Sequence, residues 1–377
     1  MNKKLNKIEK LIEELCPDGI EFKELGEVTN IKTGQGLGDN VVSEIGNYAY
    51  VNAGIEPSGF IDNRNSEAKT ITIPSRGQGG AGHVGYQKND FWCGSLCYKI
   101  QSKVDKIITK FVYYYLKNIQ NKIIELRQTG SIPAVNKKEL EKVKIPIPPL
   151  PIQEEIVKIL DNFTELEAEL KAELEARKKQ YEHYREELLN FGDGVEFKKL
   201  GEVCEMKAGK SISASDISSL ISDDNIYPCI GGNGSRGYVN SFSHSGKFSI
   251  IGRQGALCGN VCFVEGKFYA TEHAVVVKHG EQFISRFLYH LLFLMNLNQY
   301  ATGGAQPGLA VSRLNKIKIP IPPIEEQERI AAILDKFDTL VNDISIGLPA
   351  ELSARRKQYE YYRENLFNQL RIKSITN

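Results

Sequence analysis

Lys144-Ile145-Pro146-Ile147-Pro148-Pro149, followed by Gln153-Glu154-Glu155-Ile156, returns 174 residues later as Lys318-Ile319-Pro320-Ile321-Pro322-Pro323 with Gln327-Glu328-Arg329-Ile330. The match runs on: Ile159-Leu160-Asp161-Asn162-Phe163 aligns with Ile333-Leu334-Asp335-Lys336-Phe337 at the same offset. Upstream, Glu21-Phe22-Lys23-Glu24-Leu25-Gly26-Glu27-Val28 recurs from Glu196 to Val203, and Lys32-Thr33-Gly34 aligns with Lys207-Ala208-Gly209, both at offset 175. Downstream, the run from Arg177 to Glu186 recurs from Arg355 to Glu364 at offset 178. Collinear matches of this kind mean duplication. The drift places four extra residues between Phe337 and Arg355. Four residues make about one helical turn, so a helix there would keep its apolar face nearly in phase. Leu5 to Gly19 resembles the end of the segment that closes with Leu188, Leu189 and Gly192. The chain therefore begins with the tail of a repeat unit, and a circular pair with pseudo-twofold symmetry is expected.

The proline runs interrupt whatever precedes them, and the segment after each is helical in pattern. Phe163, Leu170, Leu174, Tyr181 and Leu188 in the first copy, and Phe337, Val341, Ile344, Tyr359 and Leu366 in the second, lie on alternating three- and four-residue steps. Such steps mark a coiled-coil seam. Each helix is expected to run about 35–40 residues, beyond the usual ~11–12, so pairing of the two is favoured over each lying on its own domain. Gly347 and Pro349 predict a local kink in the second. By contrast, 20–145 and 195–319 alternate short β-rich runs, such as Thr70-Ile71-Thr72-Ile73 and Ala274-Val275-Val276-Val277, with glycine turns. Each then closes on a helical stretch, near Phe111–Leu116 and Phe287–Leu292. The expected fold is thus α+β: two similar mixed domains separated by two long helices forming an antiparallel coiled coil. The expected divisions are 1–19, 20–145, 146–194, 195–319 and 320–377.

Forty-one percent hydrophobic and 25% charged residues describe a folded chain and exclude a disordered one. No apolar run reaches the ~18 residues of a membrane span, and Lys3, Lys4, Glu9 and Lys10 make the start unlike a secretory signal. Seven cysteines, an odd number, suggest a reducing compartment; the cytoplasm is expected. Net charge is only +1, but it is partitioned. Residues 20–145 carry 17 basic and 13 acidic side chains, 195–319 carry 13 and 9, and 146–194 carry 6 and 12. Attraction for phosphate would then sit in the domains and not in the acidic connector.

The two proline-Gln-Glu segments, each followed by Ile-Leu-Asp, and the two Phe-Lys-x-Leu-Gly-Glu-Val openings resemble the signatures of type I restriction-modification DNA-specificity subunits. The resemblance covers nearly the whole chain in the order domain, helix, domain, helix. It implies a non-catalytic subunit with two target-recognition domains, each reading one half of a split site in double-stranded DNA. It also implies helices that set the spacer and dock two modification subunits carrying N6-adenine methyltransferase chemistry, with restriction subunits joining in the full complex. About 38 helical residues at ~1.5 Å each span ~57 Å, which suits half-sites ~34–36 Å apart. Two other readings stay open: the specificity component of a combined cleavage-methylation enzyme, and a two-headed coiled-coil adaptor that binds no DNA.

Candidate DNA-contacting residues come from polar and glycine-rich loops. Arg76, Gln78 and His83 lie in one, and Arg253, Gln254 and Asn260 in its apparent counterpart. Arg suits a guanine edge and Gln an adenine edge, and glycines allow close approach; a plain β-turn with a surface Arg is the alternative. Asn233, Arg236 and Gln306 occupy further polar loops, where DNA contact and a plain turn are equally open, and Lys32 and Lys207 come just after the first strand of each domain, where phosphate contact and plain solvation are equally open. Catalytic and metal motifs fail. Gly209-Lys210-Ser211 lacks the glycine five positions earlier, which is Cys204. Pro17-Asp18 with Glu21-Phe22-Lys23 is too tightly spaced for a nuclease metal site. Cys93/Cys97 and Cys258/Cys262 do not align between copies, because Cys93 falls opposite Ala270, so buried structural cysteines are expected over zinc. No cofactor is expected.

Overall fold

The computed structural model describes residues 7–38, 41–128, 130–192, 194–255, 257–303 and 307–372. The chain divides into two compact units, residues 1–169 with 352–377, and residues 170–351.

In the first unit the duplicated opening and closing segments are hydrogen-bonded to each other. The strand Phe22–Glu24 runs antiparallel to Lys144–Pro146, with Phe22 opposite Pro146 and Lys23 opposite Ile145. The domain between them therefore starts and ends at one ribbon. Its main sheet is antiparallel, in the order Thr29–Thr33, Cys97–Ser102, Thr70–Pro74, Gly85–Gln87. A second sheet joins Phe60–Ile61, Tyr48–Val51 and Phe91–Cys93, the last two parallel. β-branched residues fit a half-buried pleated surface, and Ile31, Ile71, Ile73 and Ile100 pack in one core with Phe111, Val112 and Tyr115 of the helix Thr109–Asn118.

The second unit repeats the plan with longer strands. Glu196–Lys199 pairs antiparallel with Lys318–Ile321, Phe197 opposite Pro320. Six strands form one sheet, in the order Cys204–Ala208, Ala274–His279, His244–Gly252, Val261–Ala270, Tyr227–Gly231, Gly234–Val239. The parallel strand pairing of Cys229 opposite Tyr269 matches that of Tyr50 opposite Trp92 in the first unit. Two mixed domains of like topology bear out the α+β expectation.

Each unit also holds a helix pair. The helix Leu150–Leu188 runs unbroken for 39 residues. In the first unit its beginning lies antiparallel to the helix Leu348–Ile372: the Phe163 ring meets Tyr359 and Tyr362, and Arg356 donates to Glu167. Leu366, Phe367 and Leu370 are buried there with Ile152, Ile156 and Leu160. Ile8 and Ile12 of the helix Lys7–Leu15 complete that core, so both chain ends contribute to one unit. In the second unit Tyr181 and Tyr184 stack on Phe337, with Val341 buried and Leu174 and Leu188 partly buried beside them. Leu170 is half-buried.

The second long helix is interrupted where Gly347 and Pro349 predict a kink. It is two helices, Ile324–Asn342 and Leu348–Ile372. The four extra residues are taken up by a turn and not by an extra helical turn. Asp343 Oδ1 accepts from the backbone of Ser345 and Ile346 and from the Ser345 hydroxyl. A side chain on Gly347 would stand 2.4 Å from the carbonyl oxygen of Thr339. Ile344, assigned to the seam by its spacing, is 85% exposed in this turn and does not belong to the seam. Pro349 sits in the first turn of the following helix, where its missing N–H costs nothing. Among the described residues no helix is long and apolar enough to cross a membrane.

Candidate nucleic-acid interface

Each domain holds its loops on a shared backbone frame. The repeated glycine of Lys-Thr-Gly and Lys-Ala-Gly sits where two chain segments cross. Gly34 donates to Cys97 O and Gly209 to Ala274 O, each at 2.9 Å. A Cβ would lie 2.3 Å from the carbonyl oxygen of Cys93 at Gly34, and 2.3 Å from that of Ala270 at Gly209. The duplicated motif is thus explained by its glycine. Lys32 stands exposed on the outer face of the first sheet, opposite Lys99. Lys207 is exposed and paired with Glu205 at 2.5 Å, a bond that holds the Glu205 carboxyl below its ordinary range.

The glycine-rich loops are held by the same frame. In the first unit Ser75 N donates to Leu96 O, Val135 N to Ser75 O, and Gly77 N to Pro133 O, at 2.8, 2.8 and 3.1 Å. In the second, Arg253 N donates to His273 O, Leu309 N to Arg253 O, and Gly255 N to Pro307 O, at 2.9, 2.8 and 3.1 Å. These bonds fix the equivalence: Ser75 corresponds to Arg253, Arg76 to Gln254, and Gly77 to Gly255. The apparent recurrence of Arg is therefore out of phase by one residue. The isolated bridges of Arg76 with Ala134 and of Gln254 with Gly308 say the same. Arg76 and Gln254 are exposed, whereas Arg253 is half-buried.

In the second unit several candidates converge. Asn233, Arg236 and Gln254 line one open hollow of roughly 380 Å³ with Leu257 and His273, and Asn260 Nδ2 reaches Asn233 Oδ1 at 3.5 Å. Residue type alone gave no reason to single out His273 or Glu272. In the first unit Arg76 and Gln78 are exposed beside the segment 51–54, and Arg127 holds the Ala81 carbonyl from behind. His83 turns away: its Nε2 lies 3.3 Å from Lys117 Nζ, and burial together with that ammonium lowers its pKa. Gln306, together with Thr129 and Ala256 of the same loops, lies outside the described residues. Cys93, Cys97 and Cys258 are buried, Cys262 is half-buried, and among the described residues no group of three metal-binding side chains gathers.

The repeated Gln and Asp of the helix starts are anchors, a role the sequence pattern did not disclose. Gln153 is fully buried. Its Oε1 accepts from Ile108 N, and its Nε2 donates to Lys106 O and Pro148 O. Gln327 does the same with Ile284 N, Gln282 O and Pro322 O. Asp161 accepts from Lys110 and Tyr114, and Asp335 from Arg286 and His290. Burial would raise the Asp335 carboxyl, but the bonds from His290 and Arg286 outweigh it and hold it low. Burial lowers the His290 imidazole despite Asp335, and pushes the neighbouring Tyr181 hydroxyl up to about 12.

Two versions of one α+β domain, each presenting different loop side chains on a common backbone frame, define a duplicated binding module. The model of the type I restriction modification DNA specificity domain matches residues 17–176 and again 192–354, and the chain belongs to that family. The type I restriction enzyme EcoprrI specificity subunit of Escherichia coli is 49% identical over 293 residues, covering 74% of this chain and 70% of that protein. The putative type I restriction enzyme specificity subunit S.HindORF215P of Haemophilus influenzae is 31% identical over 386 residues, covering 96% and 98%. The crystal structure of a type-I restriction-modification system S subunit from M. genitalium superposes with a TM-score of 0.68 at 20% identity, over 97% of this chain and 98% of that one, a likeness of fold.

Proposed function

We propose that this specificity subunit reads a bipartite double-stranded DNA site, one half through the domain 20–145 and the other through the domain 195–319. The observation that carries the reading is the constant frame with exchanged side chains. Backbone hydrogen bonds are reproduced to within 0.1 Å between Ser75–Gly77 and Arg253–Gly255, while the outward residues at 76 and 254 differ. A scaffold for one shared partner has no need of such exchange; reading two different half-sites does. The exposed Arg76, Gln254, Asn233 and Arg236 have the chemistry that base edges match, and Lys32 and Lys207 suit phosphates.

The helices, with the segments 1–19, 146–194 and 320–377, set the spacing between half-sites and dock two modification subunits. Those subunits supply the N6-adenine methyltransferase chemistry and flip the target base; restriction subunits complete the nuclease. The chain itself supplies the address and no catalysis, uses no cofactor, and works in the cytoplasm. The test is selection from random-sequence duplex by the chain with its modification subunit, at salt where non-specific binding fades. A split consensus is expected. Retention without any consensus would overturn the specificity reading, and no retention at all would leave the adaptor reading.

A further inference from the structure

We infer that Gln254, held by His273 and Glu272, reads an adenine edge, and that His273 is the positioning residue that fixes it. This rests on the DNA-reading proposal and names the base class of one position in it. Gln254 Oε1 lies 2.8 Å from His273 Nδ1. On the other side of the imidazole, Nε2 lies 3.3 Å from Glu272 Oε1. The second carboxylate oxygen, Glu272 Oε2, is buried and has no hydrogen-bond partner among the described residues. All three side chains come from two loops that the frame pins together, since Arg253 N donates to His273 O.

The chemistry is set by the amide. A free glutamine side chain on a loop rotates, and immobilising it on binding weakens that binding by roughly two- to twelve-fold. The imidazole removes that freedom before DNA arrives. An amide oxygen accepts two hydrogen bonds, and the amide nitrogen donates two. Whichever end of the amide meets His273 Nδ1, at least one acceptor and one donor remain facing the hollow. That remaining pair matches N6 and N7 of adenine. The first unit shows the contrast. Leu96 stands at the position equivalent to His273 and Arg76 at that of Gln254, so no polar side chain at that position fixes the reader. A guanidinium is already a planar fork suited to guanine.

Selected duplexes from a randomised pool, bound by the full chain assembled with its modification subunit, test this. Wild type selects adenine at one position of one half-site. Gln254→Ala loses roughly five- to hundred-fold of that discrimination. His273→Ala loses at least about three-fold at the same position and at no other, and the double variant is no worse than Gln254→Ala. His273→Gln, which keeps a hydrogen-bonding group beside Gln254, retains part of the preference. Unchanged melting temperature for each variant separates positioning from folding. A different base selected at the Gln254-dependent position, or no position sensitive to Gln254, overturns the inference and leaves the DNA reading intact. Uniform loss at every position in His273→Ala overturns the positioning role. No selection by wild type overturns both.

Discussion

Replacing Gln327 by alanine removes three hydrogen bonds from a fully buried site. Oε1 takes the Ile284 N–H at 2.9 Å, and Nε2 supplies Gln282 O and Pro322 O at 2.8 and 2.9 Å. Each bond contributes about 1 kcal/mol net, and a buried N–H left without a partner costs about 1–3 kcal/mol. A loss of roughly 3–5 kcal/mol is expected for the unit 170–351. Ile284 is the N-cap residue of the helix Ser285–Leu294 and has no side-chain cap of its own, so that helix loosens first. Hydrogen exchange read on residues 285–294 is the assay, with urea denaturation for the total. Gln327→Glu sharpens the test. The carboxylate keeps the acceptor for Ile284 but faces two carbonyl oxygens. Its folded-state pKa is raised, the folded state then binds more protons than the unfolded, and stability falls as pH rises through the ordinary carboxylate range. A Gln327→Ala loss under about 1 kcal/mol, or a Gln327→Glu variant as stable at neutral pH as in acid, would refute the anchoring role.

Phe367→Ala should cost about 3–5 kcal/mol in the first unit, because that fully buried ring packs on Phe111 and Tyr115; denaturation monitored by near-ultraviolet dichroism reads it. His290 has its pKa lowered from 6.5 by burial, so the unfolded state takes up protons first and the second unit loses stability as pH falls below about 6.5. His290→Gln should flatten that slope in melting curves from pH 7 to 5. Arg76→Ala should relax discrimination at one base pair of one half-site by roughly five- to hundred-fold, measured by competition binding, with the other half-site unaffected.

The architecture was legible because it is written twice. A proline run followed by three- and four-residue apolar steps cannot be anything but a break and a helix, and two copies make chance an untenable account. At 343–347 Gly347 and Pro349 marked a kink, but the sequence did not show that it is a full break. Four inserted residues fit a helical turn as well as a loop on spacing alone. What decides is local: Asp343 caps Ser345 and Ile346, and the Gly347 backbone packs against Thr339, contacts that periodicity does not encode. Gln153 and Gln327 were visible as a signature, but their role was hidden, since a glutamine amid Glu on a helix start reads as solvated surface until its burial is seen.

Recurrence also misled at the loops, for a physical reason. Two domains built on one frame keep the residues that the frame needs, such as Gly34 and Gly209 under crossing carbonyls, and the amides and carboxylates that anchor helices. If each domain reads a different half-site, the readers are the positions where the frame repeats and the side chain does not. Arg76 and Arg253 attracted notice because the same residue type returned. The hydrogen bonds instead set Arg76 against Gln254 and Leu96 against His273, differences that no search for likeness selects. Under that reading, repetition in a duplicated specificity protein locates scaffold positions, and specificity has to be sought in the mismatches that the backbone shows to be equivalent.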